Sequence, residues 1–401
     1  MSLVVFNAGS TSIKFAVFAP GDGAPDPVAR GSVAPLDRHA VVQLQYGDTR
    51  TQRAHPVTDI RSALRLAVES LARDVFKTHS PGFLAHRVVY GGVEAGDLAP
   101  IDEALLAGMR ERSALAPLHQ QAEIDAIRTA AELLGTGLPA FAAFDTGFFR
   151  DLPARSYSYA LPAELRIARG IRRRGFHGLA HRSMLEAWCG EAATTPTGRR
   201  VISFQLGGGC SVAAIRDGKP IDTSMGYTPL EGLVMDTRCG DLDPGAIFAC
   251  LRGGMSAAQL HEVLEQRSGL LGLSGVASDL RTVLDLARAG DAAAELAIDV
   301  YCHRARKYLG AYLAALGGAD VILFGGGVGQ HQPEIRARIC AGMEWCGLSL
   351  DAEANRLASS RPGRISASRS RIAVHTVRVD EEAVIARDVF RFLHAYGAGD
   401  D

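Results

Sequence analysis

Two α/β domains of related design are predicted for this 401-residue chain, from three observations. Strands alternate with helical stretches along most of its length, a strand–turn–strand pattern occurs twice about half a chain apart, and a further strand runs into glycines that lead to a helix. The length exceeds one ordinary domain and suits two. Hydrophobic residues make up 47% and charged residues 22%, enough to build two cores and to exclude disorder as the main state. With 43 Lys+Arg against 44 Asp+Glu, the net charge of −1 provides no bulk positive field for nucleic acid or an acidic membrane. Any anion must be bound by a local site.

No stretch approaches the roughly 18 uninterrupted apolar residues of a membrane span, and the first residues lack the basic flank of a signal peptide, so the expected compartment is the cytoplasm. The seven cysteines are scattered without a Cys-x-x-Cys pair and read as buried thiols.

In chain order, Leu3, Val4, Val5 and Phe6 form a β-branched and aromatic strand, residues 7–12 a tight polar turn, and residues 13–18 a returning strand. Apolar residues at helical spacing predict helices over 61–76, 101–115 and 120–134, followed by a strand at 140–144. The hairpin grammar returns with a strand at 201–204, a turn at 205–211 and a strand at 212–215. Laying Phe6 on Phe204 also lays Gly9 on Gly207, Ala16 on Ala214 and Val17 on Ile215, an offset of 198 residues that suggests a duplicated domain. Helices are predicted at 256–266 and 291–316, a strand at 321–324 running into a glycine turn at 325–329, a helix opening at Pro333, and a strand at 372–377.

Three glycine-bearing turns placed directly after strands are what backbone N–H groups need to approach phosphate oxygens without Cβ obstruction. The first also carries Ser10, Ser12 and Lys14, in a chain with only four lysines. None matches the P-loop spacing, and the first turn does not satisfy the dinucleotide-binding pattern, so phosphate is bound by another geometry. Further charges stand beside glycine at Arg87, Asp145, His177 and Arg238. Taken singly, each has an ordinary structural explanation: a surface ion pair, a helix cap or a satisfied core histidine. His177 and His181 are four apart, but Gly178 is a poor helix residue and the metalloprotease glutamate is missing, which argues against zinc. Arg172, Arg173 and Arg174 read as a solvated patch.

Residues 7–14 (Asn-Ala-Gly-Ser-Thr-Ser-Ile-Lys) and 232–244 (Gly-Leu-Val-Met-Asp-Thr-Arg-Cys-Gly-Asp-Leu-Asp-Pro) resemble the two fingerprints of the acetate kinase family, and the resemblance runs over nearly the whole chain. It implies the fold shared by sugar kinases, actin and chaperone ATPases: duplicated actin-like (ribonuclease H-like) domains with mixed sheets flanked by helices and an interdomain nucleotide cleft. The expected domains are residues 1–144 plus 382–401 and residues 145–381. The implied reaction is reversible transfer of the ATP γ-phosphoryl group to acetate, giving acetyl phosphate and ADP, by a homodimer that uses Mg2+, with Mn2+ as a substitute.

By the same resemblance Arg87, Asp145, His177 and Arg238 are catalytic, and Arg87, Val89, Leu118, His119, Phe176 and Pro229 bind the acceptor. Ser10, Ser12, Lys14, Gln205, Leu206, Gly207, Gly208, Gly209, Asp279, Leu280, Arg281, Gly325, Gly326, Gly327, Val328 and Gly329 hold nucleotide, and Asn7 and Glu381 the metal. The chain departs from the family pattern at Gln205 and Gly208, where histidine and asparagine are usual, at Asp236 for glycine, and at Asp380 for asparagine. Asp236 is expected beside Arg238 and Asp380 near the magnesium. The alternatives are a propionate or short-chain acyl kinase, a pyrophosphate-dependent variant, or a non-catalytic nucleotide-binding relative.

Overall fold

The computed structural model describes residues 1–9, 12–21, 26–36, 39–92, 96–111 and 117–397, with the side chains of 117–119 and 396–397 outside that set. The chain forms two compact units, residues 1–150 with 380–401 and residues 151–379.

The first unit is built on an eight-stranded sheet: β1 (Ser2–Ala8), β2 (Ile13–Phe18), β3 (Pro27–Ala34), β4 (Val41–Tyr46), β5 (Thr49–Ala54), β6 (Pro81–Val88), β7 (Leu98–Pro100) and β8 (Ala140–Phe144), in the order β5-β4-β3-β2-β1-β6-β8-β7. The second carries six strands: β9 (Arg200–Leu206), β10 (Cys210–Arg216), β11 (Lys219–Thr223), β12 (Val321–Gly325), β13 (Gly363–Arg364) and β14 (Ala373–Thr376), in the order β11-β10-β9-β12-β14-β13. The central five strands repeat. In β3-β2-β1-β6-β8, as in β11-β10-β9-β12-β14, the first two pairings are antiparallel and the last two parallel. One design has been used twice.

The repeat corrects part of the residue alignment. Val5 pairs with Ala16, and Ser203, its counterpart at an offset of 198, pairs with Ala213. Ala16 therefore corresponds to Ala213 rather than Ala214, and Val17 to Ala214 rather than Ile215. The first hairpin closes on the Ala8–Ile13 pair and the second on the Leu206–Cys210 pair, so the second turn is one residue shorter. Because strand faces alternate, that single residue would reverse every side chain of β10 if the offset were held.

Every residue of β1 is buried, as expected of a strand between two neighbours with both faces covered. One cover is the Pro117–Leu134 helix, and beside it the Ile60–Asp74 helix packs on β2, β3 and β4, opened by a capping box of Asp59 and Ser62 and buried through Ala63, Leu64, Ala67, Val68 and Leu71 at helical spacing. Another is the C-terminal helix Glu381–Gly397, which packs on β1 and β6 through Val384, Ile385, Ala386 and Val389. In the second unit the helix Ala292–Leu316 lies on β9 and β10, capped by Asp291 and ended by Gly317 at φ 72°.

The division falls at 150/151 and 379/380, whereas the sequence places it at 144/145 and 381/382. Asp145 donates its backbone N–H to Val88 at 3.0 Å, and Asp380 accepts from the Ala383 N–H at 3.0 Å as the cap of the last helix. Both residues travel with the first unit. The glycines after β12 form no open turn: Gly326–His331 is already helical. Nor is the arginine run a solvated patch. Arg173 donates to the carbonyls of Thr223, Ser224 and Met225 at 3.0, 3.1 and 3.2 Å and to Glu231 at 2.5 Å, while Arg174 is buried over the Tyr227 ring.

Candidate active site

In open α/β sheets, ligands gather at the carboxyl ends of the parallel strands. In the first unit β1, β6 and β8 are adjacent and parallel, so their ends set Asn7, Arg87 and Asp145 side by side. Arg87 forms an ion pair with Asp145, whose side chain is 1% exposed, and also donates to the Asn7 Oδ1 at 3.4 Å. The Asn7 Nδ2 donates to Glu381 at 2.6 Å and Glu382 at 2.9 Å at the start of the last helix. Burial opposes the Arg87 charge, but Asp145 and Glu381 outweigh it and hold the guanidinium protonated.

Glu123, which the motifs do not reveal, completes this cluster. It accepts the Val89 backbone N–H at 3.0 Å, and its other oxygen is buried without a partner among the described residues. Burial pushes its carboxyl up to about 7, against the opposing pulls of the Val89 N–H and Arg87. A helical wheel would have found it. Gln120, Glu123, Ile127 and Ala130 share one buried face of the Pro117–Leu134 helix, where two polar residues among apolar ones mark a polar contact beneath.

A measurable pH dependence follows. Glu123 keeps its proton in the folded chain up to about 7 but loses it near 4.5 when unfolded. Its stabilising share is complete below about 4.5 and is lost as pH rises through 7, on the order of 3 kcal/mol. Glu123→Gln retains the acceptor for Val89 and removes the ionisation. Urea unfolding between pH 5 and 8 should show a smaller stability loss in the variant than in the parent; equal losses would refute the assignment.

The remaining first-unit candidates lie on the β1–β2 hairpin. Gly9 donates its N–H to the Ser12 carbonyl at 2.8 Å, closing the turn, and Lys14 is exposed opposite Asn7 in the register. Ser10 falls outside the described residues, as do the side chains of Leu118 and His119. Val89 is buried beside Arg87 in sequence.

In the second unit the turn of Gly207, Gly208 and Gly209 follows the end of β9. A Cβ on Gly209 would lie 3.3 and 3.4 Å from the His177 Cε1 and Nε2 and 3.8 Å from the Arg238 Nη1, so glycine lets the loop, the imidazole edge and the guanidinium converge. His177 sits at φ 60° as the N-cap of the Gly178–Glu191 helix, a left-handed conformation that non-glycine residues adopt mainly where surrounding structure imposes it. Arg238 is clamped by Glu265 at 2.9 Å. Its loop is laced to the next segment by Ser268 N–H to Thr237, Leu270 N–H to Met235 and Leu271 N–H to Asp236, all near 3 Å. Gly240, at φ 68°, passes so close to the carbonyls of Gly232 and Leu233 that no side chain fits.

One expectation about the departures is corrected. Asp236 does not pair with Arg238, whose carboxylate partner is Glu265; the Asp236 carboxylate instead stands 3.1 Å from the place a Gly208 Cβ would take. Burial, then Asp279, pushes Asp236 up to about 7. Asp380 is ion-paired with Arg30 as well as capping its helix, so its charge is already engaged.

Phe176 and Pro229 are buried in this unit. Asp279 caps the Leu280–Arg288 helix through the Thr282 N–H at 3.0 Å, Leu280 is buried, and Arg281 is exposed. At the end of β12 Gly327 faces open space, whereas Gly325 and Gly329 are buried. Gln205 and Leu206 belong to β9, and the Gln205 Oε1 is buried without a partner among the described residues.

Two sheets that share one five-strand plan, each bearing a hairpin turn beside charged groups, place the chain in the duplicated, actin-like fold class. The chain belongs to the Acetokinase family, whose profile matches residues 2–387. It is similar to an acetate kinase of Solibacter usitatus, 40% identical over 98% of both chains, and to one of Treponema denticola, 37% identical over 98% of this chain and all of the other. Among solved structures it resembles Porphyromonas gingivalis acetate kinase, with a TM-score of 0.85, 34% identity and coverage of 98% and 99%. It also resembles a propionate kinase from Francisella tularensis, with a TM-score of 0.86, 31% identity and coverage of 96% and 98%. No helix among the described residues is long and apolar enough to cross a membrane.

Proposed function

We infer that this protein is an acetate kinase, transferring the γ-phosphoryl group of ATP to acetate and, in reverse, that of acetyl phosphate to ADP. The observation that carries the reading is the family match over residues 2–387, within which two arginines each pair with a carboxylate: Arg87 with Asp145 and Arg238 with Glu265.

Acetate is already an anion at neutral pH, so the reaction asks for charge neutralisation and alignment rather than a strong base. An acetate oxygen forms the new bond to the γ-phosphorus as the bond to the β–γ bridging oxygen breaks, and that oxygen leaves with the electron pair on ADP. We assign Arg87 and Arg238 to the acetate carboxylate and the oxygens of the moving group, where guanidiniums can donate two parallel hydrogen bonds. His177 donates to a phosphoryl oxygen. Asp145 orients Arg87 and takes no proton. Ser10, Ser12, Lys14 and the turn of Gly207, Gly208 and Gly209 are assigned to the phosphates. Asp279, Arg281, the Leu280 backbone and residues 325–329 are assigned to the nucleoside, and Val89, Leu118, His119, Phe176 and Pro229 to the acceptor.

The residues also fit Mg2+. The Glu381 and Glu382 carboxylates, both within hydrogen-bond reach of the Asn7 amide, bring hard oxygens together, and Glu382 is pushed up by burial and by the like charge of Glu381, a strain that a cation would relieve. Among the described residues no three His, Cys, Asp or Glu side chains form a cage, which suits an ion that keeps most of its waters and leans on one or two protein oxygens and the phosphates. When bound, it would neutralise phosphate charge; Asn7 and Glu381 would hold it. We assign the protein to the cytoplasm as a homodimer, for which light scattering is the check.

Propionate is the second reading for the acceptor, favoured by the similarity to a propionate kinase. An apolar pocket separates acceptors differing by one methylene by only about 1–3 kcal/mol. Purified protein with ATP, Mg2+ and each acid should form acyl phosphate, trapped as hydroxamate, with kcat/KM highest for acetate. Highest turnover on propionate would install the second reading, and no product with any short-chain acid would overturn both.

A further inference from the structure

A row of four side chains, three of them buried, runs from the interior of the second unit to the imidazole of His177. The Ser203 Oγ lies 2.9 Å from the His181 Nδ1, the His181 Nε2 lies 2.8 Å from the Ser211 Oγ, and the Ser211 Oγ lies 2.9 Å from the His177 Nδ1. Ser203, His181 and Ser211 are each 0% exposed. The row follows from the fold. Ser203 and Ser211 stand on the paired strands β9 and β10, and His181 projects from the first turn of the helix that His177 caps.

Such a row has one freedom, its polarity. Burial, then the neighbouring His177, holds the His181 ring well below its ordinary pKa, so it is neutral and has one donor and one acceptor nitrogen. In one filling the Ser203 hydroxyl donates to the His181 Nδ1, the His181 Nε2–H donates to Ser211, and the Ser211 hydroxyl donates to the His177 Nδ1. The proton of neutral His177 is then on Nε2. In the opposite filling every donor reverses, the Ser203 hydroxyl turns to the Met184 sulfur at 3.9 Å, and neutral His177 carries its proton on Nδ1. The first filling gives both hydroxyl protons to ring nitrogens, which are far better acceptors than a thioether. It also matches the charge outside. The Nε2 edge of His177 lies against the Gly209 turn, where a phosphate anion is met favourably by N–H and unfavourably by a lone pair.

We propose that Ser211 and His181 are positioning residues that set the tautomer of His177, so that the neutral ring presents its Nε2–H to the transferring phosphoryl group. Neither touches substrate; they act through His177, and the proposal rests on the role given to His177 above. The device lets one ring donate at neutral pH without becoming an imidazolium.

The test is 15N–1H correlation of the histidine side chains in the full-length enzyme, alone and with ADP, beside steady-state kinetics. Neutral His177 should be the Nε2–H tautomer in the parent. Ser211→Ala should shift it toward a mixture and lower kcat about tenfold to a hundredfold, the worth of one well-placed hydrogen bond, with KM for acetate and ATP nearly unchanged. Ser203→Ala, which cuts the far end of the row and leaves the Ser211–His177 contact, should also mix the tautomers and serves if the first variant does not fold. Neutral His177 found as Nδ1–H in the parent, or an unchanged tautomer in a folded variant, would overturn the proposal. Absence of acyl phosphate formation by the parent would instead sink the functional reading, since the spectra do not depend on turnover.

Discussion

Arg238→Ala is expected to lower kcat for acyl phosphate formation by about a thousandfold or more while leaving the protein folded. The scale is that of removing a guanidinium from a phosphoryl-transfer site, where about 10³–10⁵ in rate can rest on one arginine. Only 17% of its side chain is exposed, and its Nη1 stands 3.8 Å from where a Gly209 Cβ would be, at the turn assigned to phosphate. Folding should survive because the loop around it is held by backbone hydrogen bonds from Ser268, Leu270 and Leu271, which the substitution does not touch. The variant does strand Glu265, 11% exposed, without its cation, a cost of about 1–3 kcal/mol. Arg238→Lys restores the charge but not the paired donors and should recover only part of the rate. Rates by the hydroxamate assay, with circular dichroism as the folding control, check this. A loss under tenfold would remove Arg238 from the reacting centre.

Asp145→Ala should produce the largest loss of stability. It deletes a side chain that is 1% exposed and leaves the Arg87 side chain, 13% exposed, without its main counter-charge. Breaking a buried ion pair from one side costs about 3–5 kcal/mol, because the remaining charge keeps its desolvation penalty. Arg87 retains the Asn7 oxygen and the field of Glu381, which places the expected loss toward the lower end. Asp145→Asn keeps the shape and one acceptor and should lose less. The double variant Arg87→Ala/Asp145→Ala should be less destabilised than the sum of the single ones, since no unpaired charge remains. Urea midpoints of the four proteins form the cycle. An additive result would mean that the pair contributes no coupling.

The fold was largely legible because local signals agreed with one another. The apolar strand at 140–144 is β8 to the residue, Asp291 and Ser256 cap the helices whose starts they mark, and Phe6 and Phe204 do occupy corresponding strands. One slip came down to a single residue. Nothing in residues 205–211 says that the second hairpin turn is one residue shorter than the first, because glycines fit both paired and unpaired positions. The glycines after β12 read as a turn for the same reason, and their helical state is set by what packs around them.

By itself the sequence determined the family, the two-domain α/β plan, and the arginines, aspartate and histidine that stand in recognisable motifs. Residue type, spacing and apolar periodicity are properties of the chain alone. Only the tertiary structure decided partners: Glu265 rather than Asp236 for Arg238, Glu123 beneath Val89, Glu382 beside Asn7, and the serine between two histidines. Charge and hydrogen bonding depend on distance and burial. Groups such as Asn7 and Glu382, 375 positions apart, acquire both only when parallel strands end side by side and a helix from the far terminus closes over them.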